Sequence, residues 1–166
     1  MSKHLPGHAQ IVIVGGGVVG SSIAYQLTKA GVSDVVLLER GVLTCGTSWH
    51  AAGLIMQLRG GHATTDIAKY NAEFYPELEA DTGLATGFKQ NGTLAIGRNM
   101  DRVHEMNRRA SLAKSFGIDA HVISPKEVKD MYPALDDSFV AGGLFIPKDG
   151  QLSPGDTINA VIAAAK

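Results

Sequence analysis

One stretch, "QIVIVGGGVVGSSIAYQLTKAG", restricts the fold more than any other part of the sequence. Residues 10–14 form an apolar, β-branched run that is closed by glycines, which predicts a buried parallel strand. The small and apolar residues that follow predict a helix that stops at Gly31, and "DVVLLER" predicts a second buried strand ending at Glu39. Strand, helix and strand within about thirty residues predict the opening unit of a doubly wound α/β sheet.

The glycines between the first strand and the helix have the G-x-G-x-x-G spacing of a dinucleotide site. In such a site Gly15 permits the tight turn, Gly17 lets a pyrophosphate approach the backbone, and Gly20 lets the helix pack close to the strand. Val18 and Val19 open the helix, whose free N–H groups and partial positive charge attract phosphate. The motif by itself does not separate FAD from NAD.

An acidic residue at the end of the second strand strengthens this interpretation. Glu39 lies 19 residues after Gly20, where a carboxylate accepts hydrogen bonds from a ribose and disfavours a 2′-phosphate, which argues against NADP. The alternative is a glycine-rich turn with a glutamate that faces solvent.

The segment "LERGVLTCGTSWHAAG" departs from a simple NAD domain, which would place a second crossover helix soon after Glu39. Here a loop of small and hydroxyl residues follows instead. Its N–H and hydroxyl groups would extend a phosphate cradle toward the second half of a flavin dinucleotide lying over the loop. The candidate cofactor-binding residues in this segment are Arg40, Gly46, Thr47, Ser48, Trp49, His50, Ala51, Ala52, Gly53 and Leu54.

Residues 9–60 resemble the FAD-dependent amine oxidoreductases related to D-amino-acid oxidase, and "SWHAAG" resembles their dimethylglycine and sarcosine dehydrogenase branch. The resemblance implies FAD as the cofactor and a covalent bond from His50 to the flavin 8α-methyl group. A neutral imidazole nitrogen is a competent nucleophile for such a bond. Trp49 is expected to pack near the flavin ring or to anchor the loop in the core. The alternative for His50 is a loop histidine hydrogen-bonded to backbone, with FAD held non-covalently.

The same resemblance implies oxidation of a small-molecule amine, an N-methylated amino acid such as dimethylglycine or sarcosine, by hydride transfer to the flavin. Electrons would leave to oxygen or to an electron-transfer protein, and a folate partner would bind a C-terminal region outside this sequence. No catalytic residue is expected within residues 1–166, so this piece alone would not turn over. Two alternatives stay open: a related flavoenzyme or NAD enzyme without covalent flavin, and a non-catalytic dinucleotide-binding regulatory paralogue.

The rest of the chain predicts an incomplete fold, an FAD-binding Rossmann-type βαβ unit plus the start of a mixed or antiparallel substrate-domain sheet. We expect residues 1–85 to be the first FAD-binding segment, 86–150 to begin the substrate domain, and 151–166 to return to the FAD-binding domain. Residues 62–82 predict a helix in which Pro76 produces a kink or costs a hydrogen bond, and "GFKQNGTLAIGR" predicts a hairpin with Asn91-Gly92 as its turn. The chain is expected to be the N-terminal piece of a longer protein.

Further expectations concern helix caps. "SPKEV" predicts a helix capped by Ser124 and Glu127, and Asp149 or Ser153 is expected to cap the last helix.

Composition excludes several other functions. With 15 basic and 16 acidic residues, the formal net charge of -1 gives no support for nucleic acid or an anionic membrane as partner. Cys45 is the single cysteine, so no disulfide forms within the chain, and with no apolar leader or spanning run we expect a cytoplasmic protein. The remaining histidines lack ligand spacing, so no metal site is expected.

Overall fold

The computed structural model describes residues 6–166, which divide into two compact units. The first unit comprises the chain up to Gly53, Tyr75–Phe88 and Leu152–Lys166, and the second comprises Leu54–Phe74 and Lys89–Gln151. In chain order the elements are β1 (Ile11–Val14), α1 (Val18–Lys29), β2 (Val35–Leu38), a 3-10 turn (Thr47–His50), β3 (Leu54–Ile55), α2 (His62–Thr82), β4 (Thr93–Gly97), α3 (Met100–Ser115), β5 (His121–Ile123), α4 (Pro125–Met131), a second 3-10 turn (Asp137–Phe139), β6 (Gly142–Ile146), β7 (Gly150–Gln151) and α5 (Pro154–Ala164).

The first unit contains the predicted strand–helix–strand arrangement. Strands β1 and β2 are parallel, with Ile11 opposite Val35 and Val14 opposite Leu38. Helix α1 buries Ala24 and packs against α5, whose apolar face is also buried. The βαβ prediction is therefore confirmed, with each boundary within one or two residues of the expected one.

The second unit is built on an antiparallel sheet with the strand order β4-β6-β5. Helix α3 packs on one face of this sheet, and its Met106 and Ala113 form a core with Leu58, Leu144 and Ile146. Helix α4 also contacts β6, and the central strand β6 is buried along nearly its whole length instead of alternating between buried and exposed residues. The substrate-domain expectation of an antiparallel sheet is confirmed as to fold.

Several local predictions are confirmed. Ser124 accepts a hydrogen bond from the Glu127 N–H, and the Glu127 carboxylate binds the Ser124 N–H in return, so α4 begins with a complete capping box. The Ser124 hydroxyl also donates to the Glu127 carboxylate (2.6 Å), and this bond first, followed by that from the Ser124 N–H, lowers the pKa of Glu127. Helix α2 covers residues 62–82 as predicted and continues through Pro76, which has no N–H to donate.

The predicted hairpin at Asn91-Gly92 is wrong. Gly92 does have a positive φ of 77°, but β4 pairs with β6, and Lys89 pairs with Gln151. Residues 91–92 form no turn, and the strand partner is a distant one, because a short local signal contains no information about distant strands. Strand β6 pairs with β4 on one edge and with β5 on the other, so the partner of β4 is distant in sequence.

Of the two residues predicted to cap the last helix, Ser153 is the N-cap residue of α5, whereas the prediction for Asp149 is wrong. Asp149 is fully buried and accepts hydrogen bonds from the Gln57 N–H (2.8 Å) and the Thr93 hydroxyl (2.6 Å). The Ser153 side chain makes no capping hydrogen bond at the start of α5. Burial explains the difference for Asp149, since a carboxylate removed from water must find donors wherever the tertiary structure provides them.

Within residues 6–166, no group of three or more His, Cys, Asp or Glu side chains is placed to hold a metal ion. None of the helices described there combines the length and apolar character needed to cross a bilayer.

Candidate functional site

The glycine loop, Gly15–Gly20, joins β1 to α1 in a conformation that only glycine allows. Gly15 has a φ of 106°, and its N–H donates to the Leu38 carbonyl of β2 (2.7 Å). A Cβ placed on Gly20 would overlap the Gly15 carbonyl oxygen and would lie 3.2 Å from Ile13. The helix therefore starts closer to its preceding strand than any residue with a side chain permits.

The start of α1 leaves backbone donors at the surface. The first hydrogen bond within the helix runs from the Ser21 N–H to the Gly17 carbonyl (3.0 Å), so the preceding N–H groups have no partner in the helix. The Val18 N–H is used by the Ser48 hydroxyl oxygen at 3.2 Å. The N–H groups of Val19 and Gly20 follow it, and the Val19 side chain is 70% exposed. This geometry suits an anion placed over the helix end.

Glu39 has a structural function that the sequence did not predict. Its carboxylate accepts hydrogen bonds from the Gly16 N–H (2.8 Å) and the Gly41 N–H (2.9 Å), one on each oxygen. The Gly41 bond first, and the Gly16 bond second, hold the pKa of Glu39 below its usual value. Each carboxylate oxygen accepts more than one hydrogen bond, so the half-buried side chain keeps acceptor capacity for a ribose hydroxyl. Glu39 thus ties the glycine loop to the loop that follows β2.

That following loop, residues 41–53, folds back over the start of α1. The 3-10 turn Thr47–His50 is fixed there by the bond between Ser48 and Val18, and α5 packs against the same turn. Thr44 has a φ of 76°, and no other non-glycine residue among residues 6–166 has a positive φ. A threonine in this region of φ and ψ stores conformational strain, which is common near functional sites.

The two aromatic residues of the turn both face solvent. The Nδ1 atom of His50 lies 3.1 Å from the Gly46 carbonyl oxygen, and because a carbonyl only accepts, Nδ1 carries the proton. The exposed Nε2 atom of His50 is then the nitrogen with the free lone pair. Trp49 is 69% exposed, so the expectation that it anchors the loop in the core is wrong. Its indole instead offers a large apolar face beside His50.

The end of the loop is held by α5 and its preceding residue. Gly53 accepts the Leu152 N–H (2.8 Å), and a Cβ at Gly53 would overlap the Leu152 carbonyl oxygen. Ala51 and Ala52 are exposed between this contact and His50. Leu54 is the first residue of the second unit.

The structure therefore brings together, within the first unit, most of the candidate residues. They are Gly15, Gly17, Val18, Val19, Gly20, Glu39, Arg40, Gly46, Thr47, Ser48, Trp49, His50, Ala51, Ala52 and Gly53. Sequence reasoning missed Gly16 and Gly41 as partners of Glu39, and it missed Leu43, which a Cβ on Gly16 would meet at 2.6 Å. The glycine two residues after Glu39 was a usable signal for a carboxylate that bonds its own downstream backbone.

Comparison with known proteins places this site in a family. Residues 10–166 match the family model described as "FAD dependent oxidoreductase". Mitochondrial sarcosine dehydrogenase of Mus musculus is 42% identical over 165 residues, which are 99% of this chain and 18% of that protein. Mitochondrial dimethylglycine dehydrogenase of Homo sapiens is 37% identical, across 95% of this chain and 18% of its own length. The mitochondrial pyruvate dehydrogenase phosphatase regulatory subunit of Mus musculus is 36% identical, across 97% of this chain and 18% of that protein.

A solved structure agrees with these relatives. L-proline dehydrogenase from P. horikoshii superposes with a TM-score of 0.90 at 29% identity, covering 97% of this chain and 42% of that chain. The chain spans 18% of the length of the three curated relatives named above. The resemblance inferred from the glycine motif and "SWHAAG" is confirmed, and so is the fold class.

Proposed function

The chain belongs to the FAD dependent oxidoreductase family, and on that premise we propose that it forms the first FAD-binding part of an enzyme oxidising an N-methylated amino acid of the sarcosine or dimethylglycine type. The flavin, when bound, supplies the two-electron acceptor for this reaction. One observation carries the proposal: the glycine loop and the turn that holds His50 meet at the start of α1, in a chain 42% identical to a sarcosine dehydrogenase.

The residues of the site fit a dinucleotide with a flat aromatic end. The N–H groups of Val19 and Gly20 would bind the pyrophosphate, and Glu39 would accept a hydrogen bond from the ribose. The overlap that a Cβ on Gly20 would cause shows how closely the backbone must pack there. Trp49 and Val19 are exposed and offer apolar surface that a bound flavin would cover.

We further propose that His50 bonds covalently to the flavin. The protonated Nδ1 and free Nε2 atoms make Nε2 the attacking nitrogen. Such a linkage would form a C–N bond at Nε2 in place of one C–H bond of the flavin 8-methyl group, and the Nδ1 proton of the imidazole would be lost. Dioxygen would take up the two protons and two electrons released and would form hydrogen peroxide. The Gly46 carbonyl and the 3-10 turn hold the imidazole in place for this bond.

Reduction of the bound flavin tests the proposed reaction. Sarcosine or dimethylglycine, added without oxygen to the natural protein purified with its flavin, is expected to bleach the oxidised flavin band and to release formaldehyde. Glycine, which has no N-methyl group, serves as the control. Bleaching by glycine or proline but not by either N-methylated amino acid would contradict the proposed substrate class.

Acid precipitation tests the covalent bond. Yellow colour is expected to stay with the precipitated protein and to be lost from the pellet in His50→Ala. His104→Ala changes an exposed histidine of α3 and is the matched control. Acid-stable flavin in His50→Ala, or free flavin from the unaltered protein, would remove His50 as the attachment site.

Partners and location are further proposals. We propose oxygen or an electron-transfer protein as the electron acceptor, and a folate partner through a region outside residues 1–166. A cytoplasmic location remains our prediction from composition, although the three curated relatives described above are named as mitochondrial proteins. Fractionation of cells that express the natural protein would decide the location.

One relative favours a second candidate function. The chain is 36% identical to a pyruvate dehydrogenase phosphatase regulatory subunit, so a non-catalytic, dinucleotide-binding regulatory paralogue is the second proposal. Such a protein would bind flavin, yet no amine would reduce it. The anaerobic experiment therefore separates the two candidates directly.

A further inference from the structure

Thr44 has a backbone conformation that its residue type disfavours. Its φ is 76°, and it is the third residue of a four-residue turn, residues 42–45, in which the Cys45 N–H donates to the Val42 carbonyl (3.3 Å). A φ of about +80° at the third position is typical of type II turns, where glycine or asparagine normally occurs. For a β-branched residue this conformation is strained, and it persists only where the surrounding structure imposes it.

The Thr44 side chain itself does not explain this conformation. Within residues 6–166, neither its hydroxyl nor its backbone N–H forms a hydrogen bond. Asparagine and aspartate, by contrast, reach positive φ with the help of a local side-chain hydrogen bond. The constraint on Thr44 therefore comes from its neighbours in the first unit.

The residues on either side hold the turn in place. Leu43 packs against the glycine loop, where a Cβ on Gly16 would lie 2.6 Å from its Cδ2 atom. Cys45 packs against Gly41, where a Cβ would lie 2.9 Å from its Sγ atom. Both glycines are themselves fixed, because their N–H groups donate to the two oxygens of the Glu39 carboxylate. The turn is thus held at both of its flanks, and the strained residue lies between them.

The turn leads directly into the backbone that holds the imidazole of His50. Gly46 follows it, and the Gly46 carbonyl oxygen accepts the Trp49 N–H (3.2 Å) and lies 3.1 Å from Nδ1 of His50. The direction of that carbonyl depends on the direction of the chain two residues earlier, at Thr44. With an ordinary negative φ at residue 44, residues 45–50 would run in another direction and carry the imidazole away from the glycine loop.

We propose that Thr44 is a positioning residue whose left-handed backbone, and not its hydroxyl, places His50 at the bound flavin. This inference rests on the proposed function, in which His50 lies at the flavin 8-methyl group. Four replacements separate backbone from side chain. Glycine and asparagine adopt a positive φ readily, and valine keeps the branched shape without the hydroxyl. Proline fixes φ at about −65° and excludes the left-handed conformation.

Diethyl pyrocarbonate, which acylates accessible neutral imidazoles, tests the position of His50 whether or not the flavin is bound covalently. Acylation of the natural flavin-loaded protein is followed by peptide mass spectrometry. We expect His50 to be protected in the unaltered protein and in Thr44→Gly, Thr44→Asn and Thr44→Val. In Thr44→Pro it should react roughly tenfold faster, equivalent to a loss of about 1.4 kcal/mol in the preference for the covered position. His104, an exposed histidine of α3, should react equally in all variants and is the internal control.

The flavin content of the same proteins completes the test. Thr44→Pro is expected to keep most of its flavin, which the glycine loop still binds, and to lose the acid-stable fraction. Protection of His50 in Thr44→Pro, or its loss in Thr44→Asn or Thr44→Val, would overturn the positioning role. Loss of all flavin from Thr44→Pro would also overturn it, because residue 44 would then serve cofactor binding as a whole.

The outcomes separate this inference from the proposed function. If the unaltered protein holds no acid-stable flavin but His50 is protected as expected, the positioning role stands and the proposed covalent bond fails. If no N-methylated amino acid reduces the flavin, the proposed reaction fails and the position of His50 is unaffected. An unprotected His50 in the unaltered flavin-loaded protein would contradict the positioning role, whatever amine is oxidised.

Discussion

Gly20→Ala tests the steric argument for the glycine loop most directly. The added Cβ would overlap the Gly15 carbonyl oxygen and approach Ile13 at 3.2 Å. The overlapping group is backbone, and the Gly15 N–H is bonded to Leu38, so no flexible side chain is available to move aside. Relief requires that the glycine loop and α1 separate. That movement shifts the Val19 N–H away from a bound phosphate.

The expected magnitude combines two opposing effects. Alanine is a better helix former than glycine by about 1 kcal/mol, which favours the variant. Overpacking a tight contact costs about 1–3 kcal/mol, and a clash with fixed backbone belongs at the upper end of that range. We therefore expect a net loss of about 2 kcal/mol, or about a 30-fold shift in the folding equilibrium. Flavin affinity is expected to fall as well, since the cradle is displaced.

Gly155→Ala provides the matched control for this substitution. Gly155 is in the first turn of α5, and a Cβ built on it meets nothing within 4 Å. Here only the helix preference acts, so stability is expected to rise by up to about 1 kcal/mol. Urea unfolding and the flavin-to-protein absorbance ratio measure both variants. Equal stability and equal flavin content in the two variants would refute the close-packing argument.

Three other substitutions test separate contacts. Ser48→Ala removes one hydrogen bond, so we expect a loss of about 1 kcal/mol in stability and faster proteolysis of the 41–53 loop. Ser48→Thr keeps the hydroxyl and is expected to keep the original stability and protease resistance. The pKa of Glu39 is lowered by its hydrogen bonds to Gly41 and Gly16, so its stabilising effect is complete above the ordinary glutamate pKa and is lost as pH falls through the lowered folded-state pKa. Glu39→Gln lacks this pH-dependent stabilisation, so its flavin release is expected to depend less on acid pH than that of the unaltered protein. Asp149→Ala leaves the buried Gln57 N–H without an acceptor, and urea unfolding should show a loss of about 2–4 kcal/mol that exposed Asp156→Ala does not.

Features that depend on neighbouring residues could be predicted from the sequence. The βαβ unit, the Ser124–Glu127 capping box and the span of α2 follow from hydrophobic period and cap chemistry over a few residues. The same is true of Gly20, whose need for close packing follows from its place between strand and helix. Each of these was located correctly because the deciding interactions are local.

Features that depend on distant residues could not. The bond from Gln57 to Asp149 joins positions 92 residues apart, and the bond from Val18 to Ser48 joins positions 30 apart. The sequence around Asp149 resembles that of a helix cap, but its buried carboxylate accepts hydrogen bonds from Gln57 and Thr93 instead. Trp49, which could have packed in the core, is exposed because the loop turns its indole outward.

The bond between Ser48 and Val18 links the two halves of the candidate site energetically. A helix end offers few free N–H groups, and the 41–53 loop takes one of them while Glu39 takes another from Gly16. The donors left for a phosphate are therefore those that the loop does not cover. Since the same loop holds His50, any shift that opens the cradle also displaces the imidazole. Phosphate binding and placement of His50 should accordingly be coupled, each stabilising the loop position that the other requires.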